Sequence, residues 1–163
     1  MTIIAIDPGS TESAFVVWDG EKIILKGKER NEDLRCILHD WGVNPHHICV
    51  IEMIASYGMA VGAEVFETCV WVGRFMEMFG ESRCERIKRL EVKLWLCHDS
   101  KAKDANIRQA LIDRLGVVGT KKTPGPLFGV AGDIWAALAV AVTWWDKNVS
   151  KDGTQKVLNG GER

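Results

Sequence analysis

Ile3-Ile4-Ala5-Ile6-Asp7-Pro8-Gly9-Ser10 decides the fold: four apolar residues run straight into an acid and then into a turn. β-Branched side chains suit a pleated surface, so residues 3–6 read as a buried strand that Asp-Pro-Gly-Ser ends. Working outward, Ser13 to Trp18 resumes an extended pattern, and Asp19-Gly20 reads as a hairpin turn into Lys22–Lys26. The first 28 residues are therefore a three-strand meander. Asn31 to Trp41 then carries Leu34, Ile37, Leu38 and Trp41 at helical spacing, with Asn31 as N-cap and Gly42 as the stop. A second wholly apolar strand, Ile48-Cys49-Val50-Ile51, also runs into an acid, Glu52. A buried strand reached through a helix is usually parallel to the earlier strand and often beside it.

Further along, Phe66, Cys69, Val70, Met76 and Phe79 recur at helical spacing between Ala63 and Phe79. Residues 84–90 read as a strand, 91–97 as a short helix, and Ala102 to Leu115 as a helix closed by Gly116. Gly119 to Gly132 is a loop. Asp133 then opens a last helix, apolar on nearly every face, which implies burial on both sides. These elements make an α/β sheet domain of mixed strand direction over residues 1–147, with a flexible tail over 148–163.

Of the 163 residues, 47% are hydrophobic and 26% charged, which excludes disordered, collagen-like and low-complexity classes. The five cysteines (Cys36, Cys49, Cys69, Cys84, Cys97) are odd in number and lack a CxxC pair. Reduced thiols in the cytoplasm fit better than a disulfide frame or a zinc knuckle. The longest apolar run, Ile134 to Trp145, has 12 residues broken only by Thr143, whereas a bilayer span needs about 20. Asp7 interrupts the N-terminal apolar run too early for a signal peptide. No membrane partner is expected.

If the two acid-tipped strands are parallel neighbours, Asp7 and Glu52 meet at the carboxyl end of the sheet, where open α/β folds place their sites. Acids that close repel unless they are protonated or bridged by a cation, and a hard divalent ion such as Mg²⁺ or Mn²⁺ takes oxygen ligands. A third acid, Asp133, begins the buried helix. Other readings stand beside this one. Asp7 is also a good turn residue, Glu52 an edge residue, and Asp133 an ordinary N-cap.

Taken together, Ile3–Gly9, Val50-Ile51-Glu52 and Gly132-Asp133-Ile134-Trp135-Ala136-Ala137-Leu138-Ala139-Val140-Ala141 resemble the three metal-binding motifs of RuvC-type Holliday junction resolvases. Ser100 to Leu111 (SKAKDANIRQAL) is similar to the phage-encoded branch of that family. The likeness runs in the right order from about residue 3 to residue 145. It implies a ribonuclease H-like fold with a mixed five-stranded sheet flanked by helices, and a homodimer. It also implies two divalent ions per active site, Mg²⁺ or Mn²⁺, and paired cuts in four-way DNA, with no small-molecule cofactor. Asp7, Glu52 and Asp133 match the family's ligand positions. Asp7 is the candidate bridge between two ions, and Lys101 or Lys103 the cation near the developing charge. One departure stands out: many members carry a second acid one turn into the last helix, where this chain has Ala136. A phage-encoded member would work in the bacterial host cytoplasm.

Net charge is −1, which by itself argues against nucleic acid. Its distribution argues the other way. Residues 83–122 hold 11 Lys and Arg against five Asp and Glu, a balance of +6, and the remainder of the chain stands at −7. A phosphate-contacting stripe fits such a segment, and Lys88, Arg89, Lys101, Lys103, Arg108, Lys121 and Lys122 are its candidates. Tyr57, after Glu52, is a candidate to stack at a junction centre. The helix from Ala63 to Phe79, with Trp71, Gly73 and Phe75, has apolar surface suited to a symmetric dimer. Competing functions are a catalytically impaired branched-DNA-binding protein, an actin-like phosphotransferase fragment, and a ribonuclease H acting on RNA–DNA hybrids. For the second the chain is too short to hold two lobes.

Overall fold

A computed structural model describes residues 1–56, 58 and 60–149. Thr2–Asp7 (β1), Glu12–Trp18 (β2) and Ile23–Arg30 (β3) form the expected antiparallel meander, followed by the helix Asn31–Val43 (α1). His47–Met53 (β4), Ala63–Phe79 (α2), a 3₁₀ turn Glu81–Arg83 and Cys84–Lys88 (β5) come next. Arg89–Cys97 (α3), Asp104–Leu115 (α4) and Ile134–Asn148 (α5) complete the order. The sheet has five strands in the order β3-β2-β1-β4-β5. β1 pairs parallel with β4, and β4 with β5, while β1–β2 and β2–β3 are antiparallel. This is the mixed five-stranded sheet the sequence implies.

Strand alternation sorts the core into two layers. Ile3, Ala5, Ala14, Val16, Trp18 and Val50 face α5, together with residues of α3 and α4. Ile4, Ile6, Phe15, Val17, Cys49 and Ile51 face α1 and α2. α5 is wrapped on nearly all sides, with Ala137 to Val142 at most 1% exposed. None of the helices among the described residues is long and apolar enough to cross a membrane.

Several expected boundaries move, each for a physical reason. Asn31 does not cap α1 from outside; it is the first helical residue, and its side chain clasps the β1–β2 turn. Ser13 Oγ donates to Asn31 Oδ1 (2.6 Å), and Asn31 Nδ2 donates to the Gly9 carbonyl (3.0 Å). Gly9 is required there, because a Cβ would stand 2.4 Å from the Glu12 carbonyl oxygen. Gly42 is not the helix stop either. It is buried within α1, and Arg83 donates to the carbonyls of Gly42 and Asn44, both at 2.8 Å, closing the helix end. β5 stops at Lys88 rather than residue 90, and Ala102 precedes α4 instead of opening it. On α2, Trp71 and Phe75 turn into the core, leaving Phe66 (64% exposed) and Val70 (49%) outward with Gly73. All five cysteines are free, and Cys36 is exposed. Asn148 ends α5, and of the expected tail residues 150–163 lie outside the described residues.

Candidate functional site

Asp7 is the last residue of β1 and Glu52 lies near the end of β4. The parallel register Ile6↔Ile51 sets the two acids side by side. Alternation after Ala5 and Val50 turns both toward the α5 face of the sheet. Asp133 stands on that face at the start of α5, with no side-chain capping bond to the helix. Its carboxylate instead accepts from Lys28 at 2.8 Å. The three acids expected from the sequence are thus brought to one edge of one sheet face.

Two cations share that edge. Lys28 lies on β3, in line with Asp7 across the sheet through Ala14 (Asp7↔Ala14, Ala14↔Lys28), and it also pairs with Glu12 at 3.6 Å. Arg89, the first residue of α3, donates to Glu52 at 3.2 Å and to Asp104 at 2.6 Å. The Glu52 side chain is only 15% exposed. Burial pushes Asp7 up to about 7, helped by the charges of Glu52 and Asp133 and opposed by Arg89 and Lys28. Burial likewise raises Glu52, against the pull of Arg89. Desolvation disfavours the Arg89 charge, but Glu52 and Asp104 outweigh it and hold the guanidinium above its ordinary value.

The remaining expected residues fall into separate places. Lys103 precedes α4, its backbone amide donating to Asn106 Oδ1 at 2.9 Å, and the amide of Lys101 donates to Asp99 at 2.8 Å. Neither lysine forms an ion pair with the three acids among the described residues; Arg89 and Lys28 are the cations that act most strongly on Asp7. Arg108 stacks over the Trp135 ring at 5.0 Å, two residues past Asp133. Lys121 and Lys122 sit on a hydrogen-bonded turn, closed by the Gly119↔Pro124 bridge and the Thr120–Thr123 hydroxyl pair at 3.0 Å. Lys88 is exposed at the end of β5. Tyr57 lies outside the described residues. The sequence pattern does not point to Lys28 or Glu12, and it assigns Arg89 to a DNA-facing stripe rather than to a pair with Glu52.

Hard carboxylate oxygens are the donors that Mg²⁺ or Mn²⁺ takes, and the surplus of negative charge around Asp7 suits a cation. Among the described residues, however, no three His, Cys, Asp or Glu side chains gather closely enough to form a metal-holding group. Asp133 and Glu52 are held instead by Lys28 and Arg89. Ala136, one turn into α5, offers no further oxygen.

No protein-family model matches the sequence, and no curated protein matches it. Solved structures do match by fold, among them two of Thermus thermophilus RuvC. A Thermus thermophilus RuvC structure aligns with a TM-score of 0.62 at 18% identity, over 88% of this chain and 92% of that one. T. thermophilus RuvC in complex with Holliday junction substrate aligns with a TM-score of 0.62 at 17% identity, with the same coverages. The chain therefore has the fold of the Thermus RuvC structures, the ribonuclease H-like mixed sheet with helices on both faces.

Proposed function

We propose that this chain is a metal-dependent endonuclease that resolves four-way DNA junctions by paired phosphodiester hydrolysis. The observation that carries the reading is the convergence of Asp7, Glu52 and Asp133 on one edge of the α5 face. The likeness to a RuvC structure holding a Holliday junction substrate supports the same choice of DNA. Asp7, Glu52 and Asp133 would hold two divalent ions, Mg²⁺ or Mn²⁺. When bound, such ions activate water and stabilise the leaving oxygen. The chain's own part is to bring the acids together, exclude water from the Glu52 side, and offer phosphate contacts through Lys88, Lys101, Lys103, Arg108, Lys121 and Lys122. The outward stripe of Ala63, Phe66, Val70 and Gly73 on α2 supports a homodimer, which two symmetric cuts require. A phage-encoded origin and work in a bacterial cytoplasm belong to the same reading.

Incubation of a labelled four-way junction with the protein in Mg²⁺ and in Mn²⁺ tests it. Symmetric nicks that Asp7→Asn abolishes, with junction binding retained, are expected. Binding without nicking in either metal overturns the enzyme reading. It would favour a branched-DNA-binding protein of the same fold, the alternative that Ala136 and the two resident cations support.

A further inference from the structure

A cleft of about 1120 Å³ lies at the other end of the sheet from the three acids. Its walls are the start of β1, the β2–β3 turn, Trp95 of α3, Arg114 of α4 and the end of α5. Strand rise puts the start of β1 about 17 Å from Asp7. Two indoles supply the apolar surface. Trp95 is 42% exposed, yet its ring is held, because Nε1 donates to Asp146 Oδ2 at 3.0 Å. Arg114 pairs with the same carboxylate. Trp145 is half-buried, and the β2–β3 turn packs so closely on it that a Cβ at Gly20 would stand 2.2 Å from the ring.

Small-molecule sites measure about 300–1,000 Å³, so a cleft this large suits a length of chain. The protein itself supplies one that starts there. α5 ends at Asn148, and Val149 follows in extended backbone, its amide bonded to the Trp145 carbonyl at 2.8 Å. Val149 is part of the cleft wall, so the chain leaves the described residues at the cleft. From residue 150 to residue 163 the only apolar side chains are Val157 and Leu158, adjacent to each other and directly after Lys156. Val157 is eight residues past Val149. Extended chain covers at most about 3.3–3.6 Å per residue, which lets that pair reach either indole. Charge agrees in sign. Asp19, Glu21 and Asp146 against Arg114 and the Met1 amine leave the lining at −1, while residues 150–158 carry Lys151 and Lys156 against Asp152, a balance of +1.

We propose that residues 150–158 dock back into this cleft, with Val157 and Leu158 against Trp95 and Trp145 and Lys156 at the rim formed by Asp19 and Glu21. The segment is then a clasp. It ties the end of α5 to α3 and to the β2–β3 turn, at the far end of the helix that Asp133 opens. The proposal stands independently of the nuclease reading, since no residue of the cleft belongs to the candidate site.

Nuclear magnetic resonance of the full chain labelled with ¹⁵N provides the test. Each tryptophan gives one indole N–H signal, and Trp95→Phe and Trp145→Phe identify the two in the cleft. The double variant Val157→Ser, Leu158→Ser removes the apolar pair from a polar stretch of chain. It is expected to shift both cleft signals and to leave those of Trp41 and Trp71, which pack on the opposite face of the sheet, where they are. In the unsubstituted protein the amides of residues 156–159 are expected to exchange at least tenfold more slowly than in an unstructured chain, and at the unstructured rate in the double variant. Cleft signals that stay put in the double variant overturn the proposal, as does unprotected exchange of residues 156–159 in the unsubstituted protein. Protection that vanishes on dilution, together with a halving of the mass by light scattering, also overturns it by placing the segment in the cleft of a second copy. None of these measurements uses DNA or metal, so their outcome is separate from that of the junction assay.

Discussion

Asp7→Asn is expected to stabilise the metal-free protein at pH 8 while abolishing cleavage. The magnitude follows from the environment of Asp7, whose pKa rises from 3.8 to about 7 on folding because the carboxyl is buried beside Glu52 and Asp133. A group that binds its proton more tightly when folded contributes nothing unfavourable below pH 3.8, where both states are protonated. Between pH 3.8 and 7 the unfolded chain ionises and the folded chain does not, so stability falls as pH rises. The full difference of about three pH units corresponds to about 4 kcal/mol, an upper bound because neighbouring groups relax. Asparagine keeps the shape and removes the charge. Urea unfolding in EDTA at about pH 4, 6 and 8 spans this window and checks the idea. The advantage of Asp7→Asn should be near zero at the acid end and should grow to a few kcal/mol at the alkaline end. Added Mn²⁺ should stabilise the unsubstituted protein and leave the variant unmoved. A variant less stable at pH 8, or an advantage independent of pH, would refute the reasoning.

Other expectations follow from single contacts. The Thr143 hydroxyl is fully buried without a hydrogen-bond partner among the described residues, so Thr143→Val should raise stability by about 1 kcal/mol in thermal melts. Asn31→Ala removes the clasp on Gly9 and Ser13 and should cost about 1–3 kcal/mol by leaving buried polar groups unpaired. It should also lower junction cleavage by loosening the turn that follows Asp7. Lys121→Ala and Lys122→Ala should weaken junction binding and flatten its dependence on log salt by about 0.9 for each phosphate no longer neutralised.

The apolar runs ending on Asp7 and Glu52 are enough to place two strands side by side, because fully apolar short strands bury both faces and tend to be parallel. Period-two alternation then fixes which way each acid points. Hairpin register hides Lys28. A two-residue turn at Asp19-Gly20 would set Trp18 opposite Glu21 and Ala14 opposite Leu25. The structure pairs Ala14 with Lys28 instead, because Asp19 Oδ1 accepts from the amides of Glu21 (2.9 Å) and Lys22 (2.8 Å), and a bulge follows at Val17/Trp18. A shift of three residues, Leu25 to Lys28, turns the whole strand over, so Lys28 moves to the face of the acids. An element boundary hides Arg89. Continued as a strand to residue 90, it belongs to a basic stripe; as the first residue of α3, just past the Met53↔Lys88 pair, it stands beside Glu52. Residue type alone makes Asn31 a good cap, whereas its long-range partners at Gly9 and Ser13 are set only by the folded meander.

The three acids come from residues 7, 52 and 133, and α5 packs on β1, β2 and β4 to bring the last of them in. On a ribosome the chain emerges in that order, at about 5–20 residues per second, and domains fold largely as units. The meander carrying Asp7 is complete long before α5 exists. A growing chain that has not yet reached Asp133 therefore carries the basic segment of residues 83–122 but no assembled set of acids. If the chain is a nuclease, its cutting power is withheld until almost all of the described fold has been made.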